Sequence, residues 1–416
     1  MYLCRLKEFL EMRYKTHTLS NGIRLLHVPD VSPITYCGFA INAGTRDEND
    51  DEQGMAHFVE HMLFKGTQHR KSWHIINRLE SIGGQVDAYT TKEETFLYAT
   101  VPSLYVNRAM ELLSDIMFHS VFPAQEIARE LDVVLDEIQS YNDSPSELIY
   151  DDFDELIFAN SPIGRNILGK ADMLETFTSQ KLTDFVSRCH TTDNLLFFSL
   201  GNSDFSKIIR LAERLFAVPA SQRQFVRIAP HNYTPTHIKA SKDTFQTHCL
   251  VGNRAFHLEH PDRVALVLLN NILGGPNMSS RLNMSIRERN GLAYNIESNL
   301  TAYVDTGAWA VYFGCDPKNA KRCLQLIGKE LHRLRTQPLE ARQLQTAKLQ
   351  LEGQMMIANE NKEGLILAMA KLFLQQNYCW SDEEIHERVM AVSAEKLQAI
   401  AADLFNEEYL TQLMFE

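Results

Sequence analysis

Apolar and polar residues alternate in the first part of the chain, from residue 16 to residue 29, as expected for a pair of β-strands. Asn21-Gly22 lies within this stretch, and the dipeptide favours the tight turn of a β-hairpin. Further strands are predicted over residues 35–43 and over residues 86–101, which are rich in Thr, Tyr and Phe. Helical spacing of apolar residues predicts amphipathic helices at residues 73–82, 105–119 and 123–141.

The second half of the chain repeats the order of elements found in the first. After Asn290-Gly291 come two strand-like segments, LAYNIESN and GAWAVYFGCDP, and then a helix over residues 318–334. Residues 82–113 show the same order, so the chain is predicted to contain a duplicated domain. An irregular, proline-containing stretch separates the two copies and is interpreted as a linker. The predicted boundaries are 1–220 for the N-terminal domain, 221–235 for the linker and 236–416 for the C-terminal domain.

One predicted helix is apolar on most of its circumference. It lies in the stretch GMAHFVEHMLFKGT at residues 54–67, with Gly66 as its expected C-terminal end. A helix of this kind is usually buried. It nevertheless carries His57, Glu60 and His61, and buried polar groups need partners. These three side chains are therefore candidates for binding a ligand.

The spacing of the two histidines suggests a metal ion as that ligand. His57 and His61 lie one helical turn apart, so two neutral imidazoles on one face would form half of a zinc site. Glu60 lies beside them and could act as a general base. The order HxxEH reverses the commoner HExxH and is a known signature of zinc hydrolases. The alternative is that both histidines lie in the core with their hydrogen bonds formed and that the glutamate lies at the surface.

A zinc site needs a third protein ligand, and the predicted helix at residues 123–141 offers two carboxylates. Glu130 and Glu137 nearly superimpose on a helical projection, at the edge of the apolar stripe. From this edge they could reach a metal ion. A solvated acidic edge explains the same pattern equally well.

Composition narrows the classes of protein to which the chain can belong. Its 416 residues are 44% hydrophobic, enough to bury the cores of two domains. The formal net charge of −12 argues against broad nucleic-acid binding and against docking on an anionic membrane. The seven cysteines are scattered without a CxxC pair, and the N-terminal segment lacks the apolar core of a signal peptide. A cytoplasmic location, reduced thiols and no membrane-spanning segment are therefore expected.

The stretch GMAHFVEHMLFKGT resembles the most specific motif of the pitrilysin-like, or M16, zinc peptidases. The resemblance covers nearly the whole chain and points to the half-length bacterial class related to the mitochondrial processing peptidase. It implies one Zn²⁺ per chain, held by His57, His61 and Glu137. It also implies that Glu60 is the catalytic base and that Glu130 supports the zinc ligands.

A second stretch, GGQVDAYTTKEET, is similar to the family pattern GGxxNAxTxxExT. In the family this is an edge strand that pairs with the backbone of the substrate. The resemblance assigns substrate binding to Asp87, Ala88, Tyr89 and Thr90, although Asp87 stands where the family has asparagine. Glu93 matches the later glutamate of the pattern and is expected to support the zinc site.

The stretch RERNGLAY in the second half is also similar to the family. This similarity implies that Arg287 and Tyr294 bind the substrate and stabilise the oxyanion of the reaction. From the sequence pattern alone, Arg287 would be an ordinary charged residue on the surface of a helix, and Tyr294 would be an ordinary aromatic residue of a strand. In four-domain relatives the pair lies opposite the zinc domain, so the two residues are expected to act on the zinc site of a partner in a homodimer.

The resemblance implies an α+β fold of two homologous domains, each an antiparallel sheet packed against helices, as in LuxS/processing-peptidase-like metallohydrolases. The expected activity is that of a zinc metalloendopeptidase, which cleaves unstructured peptides inside a dimeric clamshell chamber. Three alternatives stay open: a non-catalytic scaffold subunit, a catalytic subunit that requires a different, inactive partner chain, and a zinc hydrolase of a non-peptide substrate.

Overall fold

The computed structural model describes residues 14–231, 233–242 and 244–416. Cys4 and most of the N-terminal segment that was predicted not to be a signal peptide lie in residues 1–13, outside the described residues. The other six cysteines are described, and all are buried free thiols. Within the described part of the chain, no helix combines the length and the apolar character that crossing a bilayer requires.

Strands and helices follow one another in a mixed order along the chain. The strands are β1 Lys15–Thr18, β2 Arg24–Pro29, β3 Ile34–Ile41, β4 Gln85–Thr90, β5 Thr95–Pro102, β6 Leu195–Gly201, β7 His237–Ala240, β8 Thr247–Ala255, β9 Ala293–Ala302, β10 Gly307–Cys315 and β11 Thr411–Phe415. The α-helices are α1 Met55–Met62, α2 Ser72–Glu80, α3 Val106–His119, α4 Ala124–Asn142, α5 Pro145–Ile157, α6 Ala171–Leu174, α7 Ser179–Cys189, α8 Phe205–Leu215, α9 Arg263–Gly274, α10 Ala320–Thr336, α11 Ala341–Ala358, α12 Lys362–Gln376, α13 Asp382–Ala391 and α14 Ala394–Leu404.

The first compact unit is built on a six-stranded sheet with the strand order β1-β2-β6-β3-β5-β4. The pairs are antiparallel except for β2 and β6, which run parallel. Both faces of this sheet are buried, as alternate residues of β6 demonstrate. Phe197 packs with α1, α3, α7 and α8 on one face, whereas Phe198 packs with α12 on the other. A strand that is buried on both faces is expected to be continuously apolar, as β6 is.

The second compact unit repeats this arrangement with one strand fewer, in the order β7-β11-β8-β10-β9. Here β7 and β11 form the parallel pair, and the other pairs are antiparallel. Helices α9, α10 and α14 cover one face of the sheet, and α5 covers the other. The predicted α+β fold, with two sheets packed against helices, is confirmed. One parallel pair in each sheet is a difference from the antiparallel sheets that were expected.

The division of the chain into units differs from the predicted continuous boundaries 1–220, 221–235 and 236–416. The first unit comprises residues up to 138 together with Arg165–Arg227 and Ala358–Glu383, and the second comprises Gln139–Gly164, Ile228–Ile357 and Glu384–Glu416. Each sheet thus receives the helix that covers one of its faces, α12 in the first unit and α5 in the second, from a remote segment of the chain. Sequence periodicity identifies the apolar face of such a helix but not the sheet that covers it, so the division into compact units could not be predicted from it. The predicted domain boundaries stay a prediction.

Two local predictions have different outcomes. The hairpin around Asn21-Gly22 is confirmed, because β1 and β2 pair with Thr18 opposite Arg24. The helix predicted at residues 54–67 is shorter and ends at Met62. The Leu63 N–H is shared between the Val59 and Glu60 carbonyls, and this tightens the last turn and ends the helix. Gly66 therefore does not end it and instead forms a β-bridge with Lys71.

A buried histidine in the first sheet makes the stability of the fold depend on pH. His27 is hydrogen-bonded to the Ser199 hydroxyl at 2.9 Å and stacks on Phe205. Burial lowers the pKa of His27 from 6.5 to about 4. Between these values the unfolded chain binds a proton that the native state does not, so stability falls as the pH decreases through this window. The expected contribution at pH 5, relative to pH 7, is a loss of about 2 kcal/mol in the free energy of unfolding.

Urea unfolding at pH 5 and pH 7 tests this expectation. The His27→Gln variant should lose about 2 kcal/mol less than the wild type between the two pH values. The exposed His74 provides a matched control, because His74→Gln should leave the pH dependence unchanged. An identical pH dependence in the wild type and His27→Gln would contradict the assignment.

Candidate metal and substrate site

The position of helix α1 is set at its first turn. Gly54 precedes the helix with a φ of 93°, a conformation that favours glycine, and a Cβ there would lie 2.8 Å from the Leu168 carbonyl oxygen. The buried Glu48 accepts hydrogen bonds from the N–H groups of Gly54, at 3.0 Å, and Ala56, at 2.8 Å. A carboxylate is favourable here because the first N–H groups of a helix have no partner within it.

The two histidines of α1 converge with Glu137 of α4. Glu137 Oε2 lies 3.9 Å from His57 Nε2 and 3.6 Å from His61 Nε2. With ligand bonds of about 2.1 Å, two donors of a tetrahedral zinc ion lie roughly 3.4 Å apart. Two imidazole nitrogens and one carboxylate oxygen at this separation fit a zinc ion and leave its fourth position open.

The electrostatics of the site suit metal binding. Burial, with a smaller contribution from His61, lowers the pKa of His57 to about 4, so its imidazole is neutral at physiological pH. The neutral form is the one that binds metals. His57 Nδ1 and Glu60 Oε2 are both buried and have no hydrogen-bond partner among the described residues. An unpartnered atom is costly in a protein interior, and Glu60 Oε2, on the same helix as the two histidines, points to a group that completes the site.

Glu130 fixes the orientation of one of these histidines. Its Oε1 lies 2.9 Å from His61 Nδ1, and its other oxygen pairs with Lys65. An ionised carboxylate can only accept, so His61 Nδ1 carries the proton and its Nε2 presents a lone pair toward Glu137. The structure thus places Glu130 in hydrogen-bond contact with His61, and the supporting role predicted for it stays a prediction.

Glu60 lies on the same helix with an unusual protonation equilibrium. Burial raises the pKa of its carboxyl, and the negative charges of Asp87 and Glu137 raise it further. The nearby Thr90 hydroxyl and His61 act in the opposite direction. A carboxylate with a raised pKa is a better proton acceptor near neutral pH than an ordinary surface glutamate.

Strand β4 forms one edge of the first sheet and carries the four predicted substrate residues. Ala88 packs into the core that contains α1, whereas Tyr89 packs on the opposite face, where it stacks on Phe96. The Asp87 carboxylate accepts a hydrogen bond from the Ala88 N–H at 2.8 Å. Thr90 acts on Glu60, as its effect on the pKa of that residue indicates.

Glu93 belongs to a buried network of charges. It forms an ion pair with Arg46 at 2.5 Å, and Arg227 Nη1 lies 3.9 Å from the same carboxylate. Arg227 also forms two hydrogen bonds with Asp47, at 2.9 and 2.7 Å. The predicted linker at 221–235 is thus attached to the first unit at Arg227. The supporting role predicted for Glu93 stays a prediction.

Arg287 and Tyr294 lie next to each other in the second unit. Arg287 is in a π-helical turn, Asn283–Glu288, and Tyr294 is near the start of the edge strand β9. The Arg287 guanidinium lies 5.6 Å from the centre of the Tyr294 ring, and both residues line a cavity of about 400 Å³. Tyr294 is 83% exposed, an unusual value for a large aromatic side chain.

The convergent donors suit a metal-dependent hydrolase, and comparison with known proteins identifies the family. The chain belongs to peptidase family M16, the insulinase family. Residues 26–171 match "Insulinase (Peptidase family M16)", and residues 176–351 match "Peptidase M16 inactive domain".

The similar proteins include bacterial zinc proteases of about the same length. The uncharacterized zinc protease YmxG of Bacillus subtilis is 30% identical over 402 residues, which cover 96% of this chain and 98% of the relative. The β subunit of the mitochondrial-processing peptidase of Bos taurus is 28% identical over 393 residues, 92% of this chain and 80% of that subunit. The predicted relationship to the half-length bacterial class is therefore confirmed.

Solved structures share the fold. A protease from Helicobacter pylori superimposes with a TM-score of 0.89 at 20% identity, covering 97% of this chain and 99% of that one. A peptidase M16 inactive domain from Pseudomonas fluorescens gives a TM-score of 0.88 at 19% identity, covering 97% of both chains.

Proposed function

We propose that the chain is a zinc metalloendopeptidase that cleaves unstructured peptides. The observation that carries the proposal is the convergence of His57, His61 and Glu137 beside the buried, unpartnered Glu60 Oε2. Relatives of the chain are named zinc proteases, and this supports zinc as the metal. Zinc bound there would polarise the scissile carbonyl and lower the pKa of a water molecule.

The other roles in the reaction are assigned to residues of the chain. Glu60 accepts a proton from the attacking water and later delivers it to the amine that leaves. Glu130 holds the tautomer of His61, so that Nε2 remains available for the metal. Glu137 supplies the negative charge that offsets the dication.

The edge strand β4 is proposed as the binding site for the substrate backbone. The outer side of an edge strand has unpaired N–H and C=O groups, and an extended peptide can add to it as a further strand. We assign this role to the backbone at Ala88, Tyr89 and Thr90. A folded protein rarely offers a free extended segment, so this mode of binding selects unstructured chains.

The substrate site is proposed to be completed by a second copy of the chain. Arg287 and Tyr294 of one copy would stabilise the oxyanion formed at the zinc site of the other. The exposure of Tyr294 and its contact with Arg287 support this role, because both side chains can then reach another molecule. A chamber enclosed by two copies would exclude folded proteins by size.

Peptide cleavage with quantified zinc tests the proposed function. The purified chain should cleave a long unstructured peptide, lose this activity to a chelator and regain it on addition of zinc. Zinc bound without cleavage would point instead to a scaffold subunit or to a missing partner chain. Cleavage that persists after the zinc has been removed would contradict the proposed metal chemistry.

Asp87 is predicted to favour substrates with basic side chains. Among the described residues, those that line a cavity of about 470 Å³ beside β4 include Glu80, Asp87 and Glu363 but no basic residue. Asp87→Asn removes one of these negative charges. The ratio of kcat/KM between a lysine-containing peptide and its glutamate analogue should therefore fall by about 2- to 5-fold, the effect of one partly screened charge pair.

A matched variant separates this effect from that of net charge. Asp132 is an exposed acid on α4, and Asp132→Asn changes the charge of the chain by the same amount. It should leave the ratio unchanged. An equal ratio in the wild type and Asp87→Asn would show that Asp87 does not select substrates by charge.

A further inference from the structure

A second group of metal-ligand side chains lies near the end of helix α3. His69, Asp115 and His119 each place one potential ligand atom within 4.8 Å of the others. Asp115 and His119 are one helical turn apart on α3, the same spacing that His57 and His61 have on α1. His69 comes from the loop between α1 and α2, so the three residues join two elements.

The distances fit a transition-metal ion with a small adjustment. Asp115 Oδ1 lies 3.5 Å from His119 Nδ1, close to the roughly 3.4 Å expected between two donors of a tetrahedral zinc ion. Asp115 Oδ1 and His69 Nδ1 are 2.6 Å apart, as in a hydrogen bond. A metal ion would replace the shared proton, and the two atoms would separate by less than about 1 Å.

His119 provides the observation that points to a ligand. Its Nδ1 is buried and has no hydrogen-bond partner in the part of the chain that the structure describes. Its backbone carbonyl accepts a hydrogen bond from the Gln68 N–H at 2.8 Å, which holds the loop against the end of the helix. The rings of His69 and His119 lie with their centres 4.8 Å apart. A buried imidazole nitrogen without a partner is costly, and a bound metal removes that cost.

The surroundings of Asp115 leave one of its oxygens for the two imidazoles. Thr67 donates a hydrogen bond to Asp115 Oδ2 at 2.8 Å, and Arg70 pairs with the same oxygen. Glu111 in turn pairs with Arg70 and offsets its positive charge. Outer contacts of this kind orient a carboxylate ligand. The site also lies at the C-terminal end of α3, where the partial negative charge of the helix favours a cation.

We propose that His69, Asp115 and His119 form a second site for a divalent transition-metal ion, separate from the predicted catalytic zinc. Two imidazoles and one carboxylate suit Zn²⁺, Co²⁺ or Ni²⁺ rather than Ca²⁺ or Mg²⁺. The His69 side chain is 57% exposed, so water can fill the remaining coordination positions. Occupancy would bind the loop that follows α1 to α3 and would stabilise this part of the fold.

Zinc titration of the metal-free full chain by calorimetry tests the proposal. The wild type should bind about two equivalents of Zn²⁺. His69→Ala should bind about one and keep the site at His57, whereas His57→Ala should bind about one at the second site. The exposed His74 serves as control, and His74→Ala should still bind about two.

Thermal unfolding of the same variants provides a second readout. Zn²⁺ should raise the Tm of the Glu60→Gln chain in two steps. One of these steps should be absent in the double variant Glu60→Gln/His69→Ala. A His57→Ala chain that binds no zinc would overturn the proposal, as would a His69→Ala chain that binds as many equivalents as the wild type. If the second site binds no zinc, His69 and Asp115 form only a hydrogen-bonded pair. Neither readout depends on peptide cleavage, so the proposed function can hold or fail independently.

Discussion

The Glu60→Gln variant is expected to lose peptide cleavage by about a thousand-fold while it keeps its zinc. The amide occupies the same space as the carboxylate but cannot accept the proton of the attacking water at neutral pH. Glu60 is not among the three convergent donors His57, His61 and Glu137, so its replacement should not remove the metal. Loss of rate without loss of zinc distinguishes a base from a ligand.

The measurement compares single-turnover cleavage of an unstructured peptide with zinc content in the same samples. Glu175→Gln is a suitable control, because it makes the same chemical change at an exposed position. It should cleave at the wild-type rate. A Glu60→Gln chain that cleaves as fast as the wild type would refute the assignment of the base. Loss of zinc together with loss of rate would instead make Glu60 part of the metal site.

The proposed metal site could be partly predicted from the sequence because its main elements are local. The HxxEH spacing alone indicates that His57 and His61 share one face of a helix. Glu137 is on another helix, and from the residue pattern alone a ligand and a solvated acidic edge were equally good explanations. Only the packing of α4 against α1 brings Glu137 Oε2 to within 4 Å of both imidazoles.

Two supporting residues were missed for a different reason. Glu48 acts on backbone N–H groups of α1, and a contact with the backbone leaves no side-chain pattern in the sequence. Arg227 lies in an irregular, proline-containing segment, and its partner Asp47 is 180 residues away. Helix α12 was not predicted to belong to the first unit, since its sequence pattern does not indicate which sheet it covers. Contacts between remote segments are set by tertiary packing, which periodicity does not encode.

Mixing two inactive chains is expected to restore activity if Arg287 and Tyr294 act on the partner's zinc site. The Glu60→Gln chain lacks its base, and the Tyr294→Phe chain lacks an oxyanion donor whose removal should cost about 100- to 1,000-fold in kcat. In a mixed dimer, Glu60 of the Tyr294→Phe chain and Tyr294 of the Glu60→Gln chain would act at the same zinc site, so one site is intact. Random pairing makes half of the dimers mixed, so about a quarter of the wild-type activity should appear.

Co-expressed chains with different tags allow the mixed dimer to be isolated and assayed directly. The control pairs Glu60→Gln with the double variant Glu60→Gln/Tyr294→Phe, a combination in which no intact site can form, and it should stay inactive. Tyr294 is 83% exposed, so Tyr294→Phe should fold normally and its effect can be attributed to the hydroxyl. If the mixed dimer is no more active than the two homodimers, Tyr294 does not act across subunits. The zinc ligands and Glu60 would then have to work with an oxyanion donor other than the partner's Tyr294.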